Sequence, residues 1–436
     1  MNGKVLLLDR IGPEARPILE EAGFTVTETG KGFGKDADVL GRYLADNFPA
    51  GDLQAVCLRS GTTLAAEAMP LLRRAGAELA VRFGTGTDNI DLPAACQAGI
   101  LVENTPGCNS KSVAELTLGC ALALSRKTSA SIGSLAAIRA ILDFRQAAVA
   151  RLGAELAPIL AELETGLVKR FAVSKKDCAG SELGGKTIGI IGCCGNIGAK
   201  VATRAMALGM QAIGFDKRRG QEIEGLARVS LAELLARADV ITAHVWLDDQ
   251  TRGLIGAEQI AQMKPGVLLL NLARQGIVDI GAVLADMTSG KPIVGGYASD
   301  VDDPNHPLFA AANTICLPHI GASTAEAEAR CAVMGAEQVV AWLRESELTH
   351  GVNFPDLTDQ DQRQDGCLVV IHRDEPGLIE RLAHCFGERN INIGPFQTVP
   401  GEAGFACSVI GPDEPVSADV VGELSAIAGV IRVILH

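Results

Sequence analysis

Three residues that could together oxidise a hydroxy acid occur in the second half of the chain. Arg274 follows an apolar run, where a guanidinium could clamp a carboxylate with two parallel hydrogen bonds. His319 follows another apolar run, where an imidazole could accept the hydroxyl proton as hydride leaves the carbon. Asp303 precedes a proline between them and could hold that imidazole in one tautomer, although Asp300 and Asp302 are close enough in sequence to take the same role. Each residue also has an ordinary structural alternative, namely a loop arginine, a capping histidine and a plain Asp-Pro turn.

A glycine cluster at residues 192–198 follows the strand-like run 187–191 and opens a helical stretch. Glycines allow a tight turn close to a pyrophosphate, and a helix N-terminus offers free N–H groups and a positive dipole end. The spacing is G-x-x-G-x-x-G rather than G-x-G-x-x-G, so either the loop has gained one residue or Cys193 stands where the first glycine belongs. The dinucleotide contacts predicted here are Gly192, Gly195, Asn196, Ile197 and Gly198.

An acidic residue, Asp216, lies 18 positions after Gly198, at the end of the next apolar run. A carboxylate at that place accepts hydrogen bonds from ribose hydroxyls and repels a 2′-phosphate, which favours NAD. The Lys-Arg-Arg sequence of residues 217–219 could nevertheless tolerate NADP.

The composition limits the classes of function. A chain of 436 residues predicts two or three domains, and a net charge of −13 argues against a nucleic-acid partner. The twelve cysteines lack metal-ligand spacing, which predicts reduced thiols in a cytoplasm and no metal site. The N-terminal apolar run at residues 5–8 indicates a buried strand rather than a signal peptide, and no apolar run reaches the length of about 18 residues that a membrane span needs.

The elements that must position these residues alternate between strands and helices. Residues 4–105 and 184–317 each show short apolar runs separated by helical stretches, which predicts two doubly wound, Rossmann-like parallel sheets and an α/β fold. A polar segment at 358–365 indicates a linker. Residues 367–435 then follow the strand–helix–strand–strand–helix–strand order of a ferredoxin-like unit.

Two helical segments lie between the predicted sheets. Residues 110–126 are apolar all round, which predicts a helix buried between layers or subunits. Residues 128–171 are amphipathic and indicate one helix or a broken pair. This second segment suits an oligomerisation or docking arm, or a regulatory arm that binds a partner.

With these features, the chain resembles the D-2-hydroxyacid dehydrogenase family over nearly all of its length except about residues 128–170. The resemblance rests on residues 58–62, 82–91, 104–107, 112–116, 185–187, 271–279 and 318–324. It implies that Arg274 binds the substrate carboxylate, that His319 is the acid/base and that a carboxylate pairs with His319. In the family that partner is a glutamate before a proline, whereas here the loop is shorter and carries Asp303. The family's proline after His-Val is also replaced, by Trp246.

The resemblance also implies a substrate. Arg59, Ser60 and the Asn109–Ser110 turn favour members that oxidise D-3-phosphoglycerate in the first step of serine synthesis. The implied substrate contacts are Arg59, Ser60, Gly84, Asn109 and Ser110, and the further cofactor contacts are Ala273, Asp300 and Gly321. Two alternatives stay open, a dehydrogenase of another D-2-hydroxy acid and a non-catalytic protein that senses a dinucleotide.

The last unit is similar to an ACT domain, which implies regulation by L-serine through His372, Asp374 and Asn392. Asp374 replaces a frequent asparagine, so a dimerisation module that binds no ligand is the alternative. We expect this unit to leave one sheet edge and one sheet face uncovered, so that pairing with a second copy builds a homo-oligomer, a dimer or a tetramer. The expected division is a substrate-binding domain at 1–107 rejoined by 318–345, an NAD-binding domain at 108–317 with a helical insertion at about 128–170, a linker at 346–365 and an ACT regulatory domain at 366–436.

Overall fold

The computed structural model describes residues 3–128, 179–218, 220, 222–345, 347–356 and 367–435, and single positions at 143, 158, 161, 162 and 165. Almost all of the predicted helical insertion, and residues 357–365 of the predicted linker, lie outside these described residues. The chain forms two compact units, one of Met1–Asn109 with Thr324–His436 and the other of Ser110–Ser323.

The first unit begins with a parallel five-stranded sheet in the order β2-β1-β3-β4-β5. Its strands are β1 (Lys4–Leu7), β2 (Thr25–Glu28), β3 (Leu53–Leu58), β4 (Leu79–Arg82) and β5 (Leu101–Asn104), and its helices are α1 (Ala15–Glu21), α2 (Ala37–Asn47), α3 (Met69–Ala75) and α4 (Leu92–Ala98). The sequence predicted four of these strands and missed β2. This strand reads Thr-Val-Thr-Glu and lies at the sheet edge with exposed ends, so it has no apolar run that the sequence could show.

The second unit is a parallel seven-stranded sheet in the order β12-β11-β10-β9-β6-β7-β8. Its strands are β6 (Thr187–Ile191), β7 (Gln211–Phe215), β8 (Leu226–Arg228), β9 (Val240–Ala243), β10 (Val267–Asn271), β11 (Val294–Ser299) and β12 (Thr314–Cys316). Its helices are α5 (Ser110–Ser125), α6 (Asn196–Ala207), α7 (Leu231–Arg237), α8 (Ala257–Ile260) and α9 (Ile280–Met287). The strand order reverses direction between β6 and β9, which confirms the predicted doubly wound sheet and places a ligand crevice at the carboxyl ends of those strands.

Helix α10 (Ala325–Glu345) brings the chain back to the first unit, where Trp342 is fully buried. Close packing requires Gly335 in this helix, because a Cβ there would lie 2.3 Å from the Phe83 ring. The helix therefore forms part of the core beneath the N-terminal sheet.

The C-terminal part of the first unit is an antiparallel four-stranded sheet in the order β14-β15-β13-β16, which confirms the predicted ferredoxin-like topology. Its elements are β13 (Leu368–Arg373), α11 (Leu378–Gly387), β14 (Ile393–Pro400), β15 (Phe405–Pro412), α12 (Ala418–Ala426) and β16 (Val430–Leu435). One face packs against α11 and α12 through Leu382 and Leu424. The other face, which includes Val369 and Ile371, shares the core of the N-terminal sheet. The expectation of an uncovered face is therefore wrong, because the same chain covers it.

A buried arginine joins the two sheets of this unit. The Arg432 guanidinium donates hydrogen bonds to the carbonyl oxygens of Ala77, at 2.6 Å, and of Gly76, at 3.0 Å, and lies 3.7 Å from the Glu78 carboxylate. Burial lowers the pKa of Arg432 to about 10 and raises the pKa of Glu78. Both charges are thus desolvated, and the attraction between them offsets part of that cost.

We expect Arg432→Ala to reduce the free energy of unfolding by about 3–5 kcal/mol, because it leaves Glu78 and two carbonyl groups buried without their partner. Thermal and urea unfolding of the full chain measures this effect. Arg381→Ala is the matched control, since its ion pair with Glu375 is nearly half exposed and a loss of less than about 1 kcal/mol is expected. Equal stability losses for the two variants would contradict the role of Arg432.

Candidate active site

The glycine loop lies between the end of β6 and the first residue of α6. Gly192 has a φ of +85°, and a Cβ there would lie 2.3 Å from the His244 carbonyl oxygen. A Cβ on Gly198 would lie 2.2 Å from the Gly192 carbonyl oxygen. Cys193 does not adopt a left-handed backbone and is buried against Gly214, where a Cβ would lie 2.6 Å from the Cys193 Sγ. Gly192 is therefore the first glycine of the tight turn, and the loop has gained one residue.

Asp216 follows β7 and lies against this loop. Its Oδ2 accepts a hydrogen bond from the Cys194 N–H at 3.0 Å, and its Oδ1 accepts one from the Arg218 N–H at 3.0 Å. The side chain is only 6% exposed. A carboxylate offers about four acceptor positions, so Asp216 can hold the loop and still accept hydrogen bonds from ribose hydroxyls.

The loop after β10 carries Arg274 and is fixed by a buried amide. Asn271 donates from Nδ2 to the Arg274 carbonyl oxygen at 3.0 Å, and its Oδ1 accepts from the Ala273 N–H at 3.3 Å. The half-buried Arg274 guanidinium donates to the Ala273 carbonyl oxygen at 2.9 Å. Asn271 was not predicted as a positioning residue, although a polar side chain at the carboxyl end of a buried strand was a signal for it.

The turn that carries His319 is held by Asp300. The Asp300 carboxylate accepts hydrogen bonds from the Ile320 N–H at 2.8 Å and the Gly321 N–H at 2.6 Å, and Asp300 is 3% exposed. A Cβ on Gly321 would lie 2.7 Å from this carboxylate, so only glycine fits. His319 itself is exposed and has a φ of +58°, an uncommon conformation that the two hydrogen bonds stabilise.

These anchored loops all follow the carboxyl ends of strands in the sheet of the second unit. Strands β10, β11 and β12 are parallel neighbours, and their carboxyl ends lead to Arg274, Asp300 and His319 respectively. An arginine and an exposed imidazole at one sheet edge can bind a carboxylate and transfer a proton.

Asp303 does not contact His319 directly in this structure. Its Oδ1 accepts two hydrogen bonds from Asn305, at 2.9 Å from the backbone and 3.0 Å from the side-chain amide, and Asp303 is exposed. Asp302 is buried and accepts a hydrogen bond from the Tyr297 hydroxyl at 2.8 Å. Within the described part of the chain, no hydrogen bond or ion pair joins His319 to either aspartate. The short Asp303 side chain is bonded within its own turn, so the predicted direct pairing with His319 is not formed, and pairing through one water stays a prediction.

In the first unit, the loop after β3 presents Arg59. The Arg59 N–H donates to Asp9 Oδ2 at 2.7 Å, and Asn89 Nδ2 donates to the Arg59 carbonyl oxygen at 2.8 Å. The guanidinium forms an ion pair with Glu328 at 2.8 Å, and 27% of the side chain is exposed. Ser60 beside it is exposed. Arg59 is therefore positioned through both backbone groups and remains accessible to solvent.

The last residue of β4 is a second arginine, Arg82, which lies close to other predicted contacts of the first unit. Arg82 donates to the Phe83 carbonyl oxygen at 2.8 Å, and its Nη1 lies beside Gly84 (φ +145°), where a Cβ would meet it at 1.6 Å. Asn109 Oδ1 accepts a hydrogen bond from the Thr85 hydroxyl at 3.1 Å. Arg82 was not predicted as a substrate contact, although it is the last residue of a buried strand, just as Arg59 directly follows one. Ser110, which begins α5 in the second unit, is buried.

The predicted effector residues of the C-terminal sheet are bonded within the chain. His372 is buried, its Nδ1 lies 2.8 Å from the Arg373 carbonyl oxygen and its Nε2 lies 2.8 Å from the Ser408 hydroxyl. Burial lowers the pKa of His372, so Nδ1 donates to the carbonyl and Nε2 accepts from the hydroxyl. Asn392 donates to Asp413, and Asp374 is exposed. A ligand that contacts His372 must therefore replace an existing hydrogen bond.

None of the helices described is long and apolar enough to cross a membrane.

The doubly wound sheet, the glycine loop at its reversal point and the carboxylate after the next strand define a dinucleotide-binding oxidoreductase fold. Residues 154–321 match the model of the D-isomer specific 2-hydroxyacid dehydrogenase NAD binding domain. A hydroxypyruvate reductase of Thermotoga maritima is 34% identical over 295 residues, which are 66% of this chain and 84% of that protein. The chain therefore belongs to the D-isomer-specific 2-hydroxyacid dehydrogenase family, and the prediction of NAD as its cofactor is confirmed.

Other similar proteins have names that specify the substrate. The D-3-phosphoglycerate dehydrogenase of Homo sapiens is 35% identical over 362 residues, and the match spans 81% of this chain but only 59% of that protein's length. The solved structure of an NAD⁺-bound 3-phosphoglycerate dehydrogenase from Entamoeba histolytica is similar with a TM-score of 0.61 and 25% identity, and covers 81% of this chain and 99% of that one.

Proposed function

We propose that this protein is an NAD-dependent dehydrogenase that oxidises D-3-phosphoglycerate to 3-phosphohydroxypyruvate, in the cytoplasm, as the first step of serine synthesis. The observation that carries the proposal is the presence of Arg274 and His319 on two anchored loops at one edge of the dinucleotide-binding sheet. The relative from Homo sapiens with this name supports the choice of substrate. Retention of both chemical groups argues against a protein that only senses the dinucleotide.

In the proposed mechanism, Arg274 binds the substrate carboxylate with two parallel hydrogen bonds and thereby orients the hydroxyl-bearing carbon. His319 accepts the hydroxyl proton, and it returns that proton in the reverse reaction. Bound NAD supplies the hydride acceptor. The Gly192–Gly198 loop and Asp216 would hold its pyrophosphate and ribose. Asn271 and Asp300 do not touch substrate in this scheme but fix the two loops that do.

The N-terminal part of the first unit would bind the phosphorylated end of the substrate. Arg59 and Arg82 provide two guanidinium groups at the carboxyl ends of adjacent parallel strands, where α/β proteins bind ligands. A phosphate with its charge-assisted hydrogen bonds suits such groups.

We expect Arg59→Ala to lower kcat/KM for D-3-phosphoglycerate by about ten- to a hundredfold, because hydrogen bonds to charged groups contribute about 1.5–3 kcal/mol. The loss for unphosphorylated D-glycerate should be much smaller, since that substrate lacks the charge. Steady-state kinetics with both substrates measures the difference. Arg16→Ala, which removes an exposed arginine of α1, is the control.

Equal losses for both substrates would favour the alternative, a dehydrogenase of another D-2-hydroxy acid. The hydroxypyruvate reductase of Thermotoga maritima, of which the chain covers 84%, supports that alternative. A panel of 2-hydroxy and 2-oxo acids, with and without phosphate, separates the two.

We further propose that the C-terminal sheet acts as an ACT-type regulatory unit that binds L-serine and pairs with a second copy in a homo-oligomer. Support comes from the ferredoxin-like topology and from β14, which lies at one sheet edge and can pair with another chain. Because the other sheet face is already covered, pairing would use an edge. Calorimetry with L-serine on the full chain, together with its mass in solution, tests both parts.

A further inference from the structure

Trp246 presents a large exposed aromatic ring in the segment that follows β9. The chain has only two tryptophans, and the other, Trp342, is fully buried in the first unit. Trp246 is 51% exposed in the second unit, where it follows β9. An exposed indole offers an apolar ring face that a planar ligand can cover.

The position of Trp246 is fixed by its neighbours at the reversal point of the sheet. The carbonyl oxygen of His244, two residues earlier, is the atom that approaches Gly192 so closely that only glycine fits. On the other side, Lys217 Nζ donates to Gln250 Oε1 at 2.9 Å, which links the segment after Asp216 to the segment after Trp246. Trp246 thus belongs to a loop that borders both the pyrophosphate loop and the ribose-binding carboxylate.

The loop that carries Trp246 is ordered by its own hydrogen bonds. The Thr251 hydroxyl donates to the Trp246 carbonyl oxygen at 2.6 Å. Asp248 Oδ1 accepts from the N–H groups of Gln250 and Thr251, at 2.8 and 2.9 Å. These bonds hold the backbone while they leave the indole accessible, so a ligand would meet a platform that is already in place.

We propose that the indole of Trp246 is a stacking platform for the adenine ring of NAD. The pyrophosphate at Gly192–Gly198 and the ribose at Asp216 direct the adenine toward the loops after β7 and β9, which are the two loops that Lys217 and Gln250 connect. Every base has a π face, and stacking of a base on an aromatic side chain raises affinity by about tenfold or more. The inference rests on NAD binding by this unit and not on which hydroxy acid is oxidised.

The experiment measures dissociation constants and tryptophan emission of the full chain with NAD⁺, ADP-ribose and nicotinamide mononucleotide. We expect NAD⁺ and ADP-ribose to quench the emission of the wild type, and nicotinamide mononucleotide to leave it unchanged. Trp246→Phe should lose the ligand-dependent emission change but keep affinity within about threefold, because phenylalanine still offers a ring face. Trp246→Ala should weaken NAD⁺ and ADP-ribose binding by about tenfold.

Leu208→Ala is the matched control. It removes another exposed apolar side chain of the second unit. Leu208 follows the C-terminal end of α6, whereas the glycine loop lies at the N-terminal end. The affinity of this variant for NAD⁺ and ADP-ribose should match that of the wild type. Unchanged affinity of Trp246→Ala for ADP-ribose, or equal quenching by nicotinamide mononucleotide, would overturn the platform while the catalytic proposal stands. If the wild type turns over no hydroxy acid but ADP-ribose quenches its tryptophan emission, the catalytic proposal fails while the stacking platform stands.

Discussion

Replacement of His319 by alanine should lower kcat by about a hundredfold or more while NAD⁺ binds with nearly unchanged affinity. The reason is that the imidazole accepts the hydroxyl proton only as the reaction proceeds, whereas the cofactor is held by the glycine loop and Asp216. Steady-state turnover of D-3-phosphoglycerate and a separate NAD⁺ titration measure the two effects independently.

A second variant of His319 is needed because of the backbone conformation at this residue. His319 has a φ of +58°, which alanine adopts only with strain, so His319→Ala alone could shift the turn. Asparagine tolerates the left-handed conformation but cannot serve as an acid/base near neutral pH. His319→Asn should therefore lose as much kcat as His319→Ala, with the turn still held by Asp300. Near-normal turnover by His319→Asn across the pH range would show that another group transfers the proton.

The sequence predicted the central strands well because strands buried on both faces appear as unbroken apolar runs. The predicted strand at residues 187–191 agrees with β6 residue for residue. The edge strands β2 and β8 were missed because polar and exposed residues interrupt any apolar run there. An edge strand is defined by its pairing with a neighbour, and one sequence does not show that pairing.

The residues of the candidate site also fall into those that the sequence could predict and those that it could not. Residue types and their place after apolar runs were enough to select Arg274 and His319, since the carboxyl ends of parallel strands carry ligand-binding groups. The residues that hold Arg59 and His319 were not predictable, because those bonds span long separations in sequence, whereas Asn271, which holds the Arg274 loop, lies only three residues from it. Asp9 bonds to the Arg59 backbone 50 residues away, and Asp300 bonds to the turn after His319 20 residues away. Asp300 entered as a cofactor contact, a role that stays a prediction beside the positioning role now visible.

Local hydrogen bonding in the turn explains why Asp303 does not form the predicted direct hydrogen bond with His319. An aspartate before proline and two residues before Asn305 readily bonds within its own turn, and the structure shows both such bonds. The covered face of the C-terminal sheet was hidden for a related reason. The apolar residues of β13 form an unbroken run, which indicates packing on both faces but does not reveal whether the same chain or a second copy covers the second face.

Replacement of Arg274 by lysine should raise KM for the hydroxy acid and lower kcat, with a combined loss in kcat/KM of about ten- to a hundredfold. Lysine keeps the charge but provides a single ammonium in place of a planar fork, so the carboxylate loses its second parallel hydrogen bond and its fixed orientation. Initial rates over a range of hydroxy acid concentrations, at saturating NAD⁺, give both constants.

Arg237→Lys is the control for this change, since it alters an exposed arginine of the same unit that pairs with Glu233 on the surface, and its kinetics should match the wild type. The balance between the two constants of Arg274→Lys is informative. A rise in KM alone would mean that the fork binds substrate and transition state equally. A fall in kcat as well would show that orientation of the carboxylate by Arg274 is needed when the hydride and the proton leave. Unchanged kinetics would place Arg274 outside the site, and the loop that Asn271 anchors would then have only a structural role.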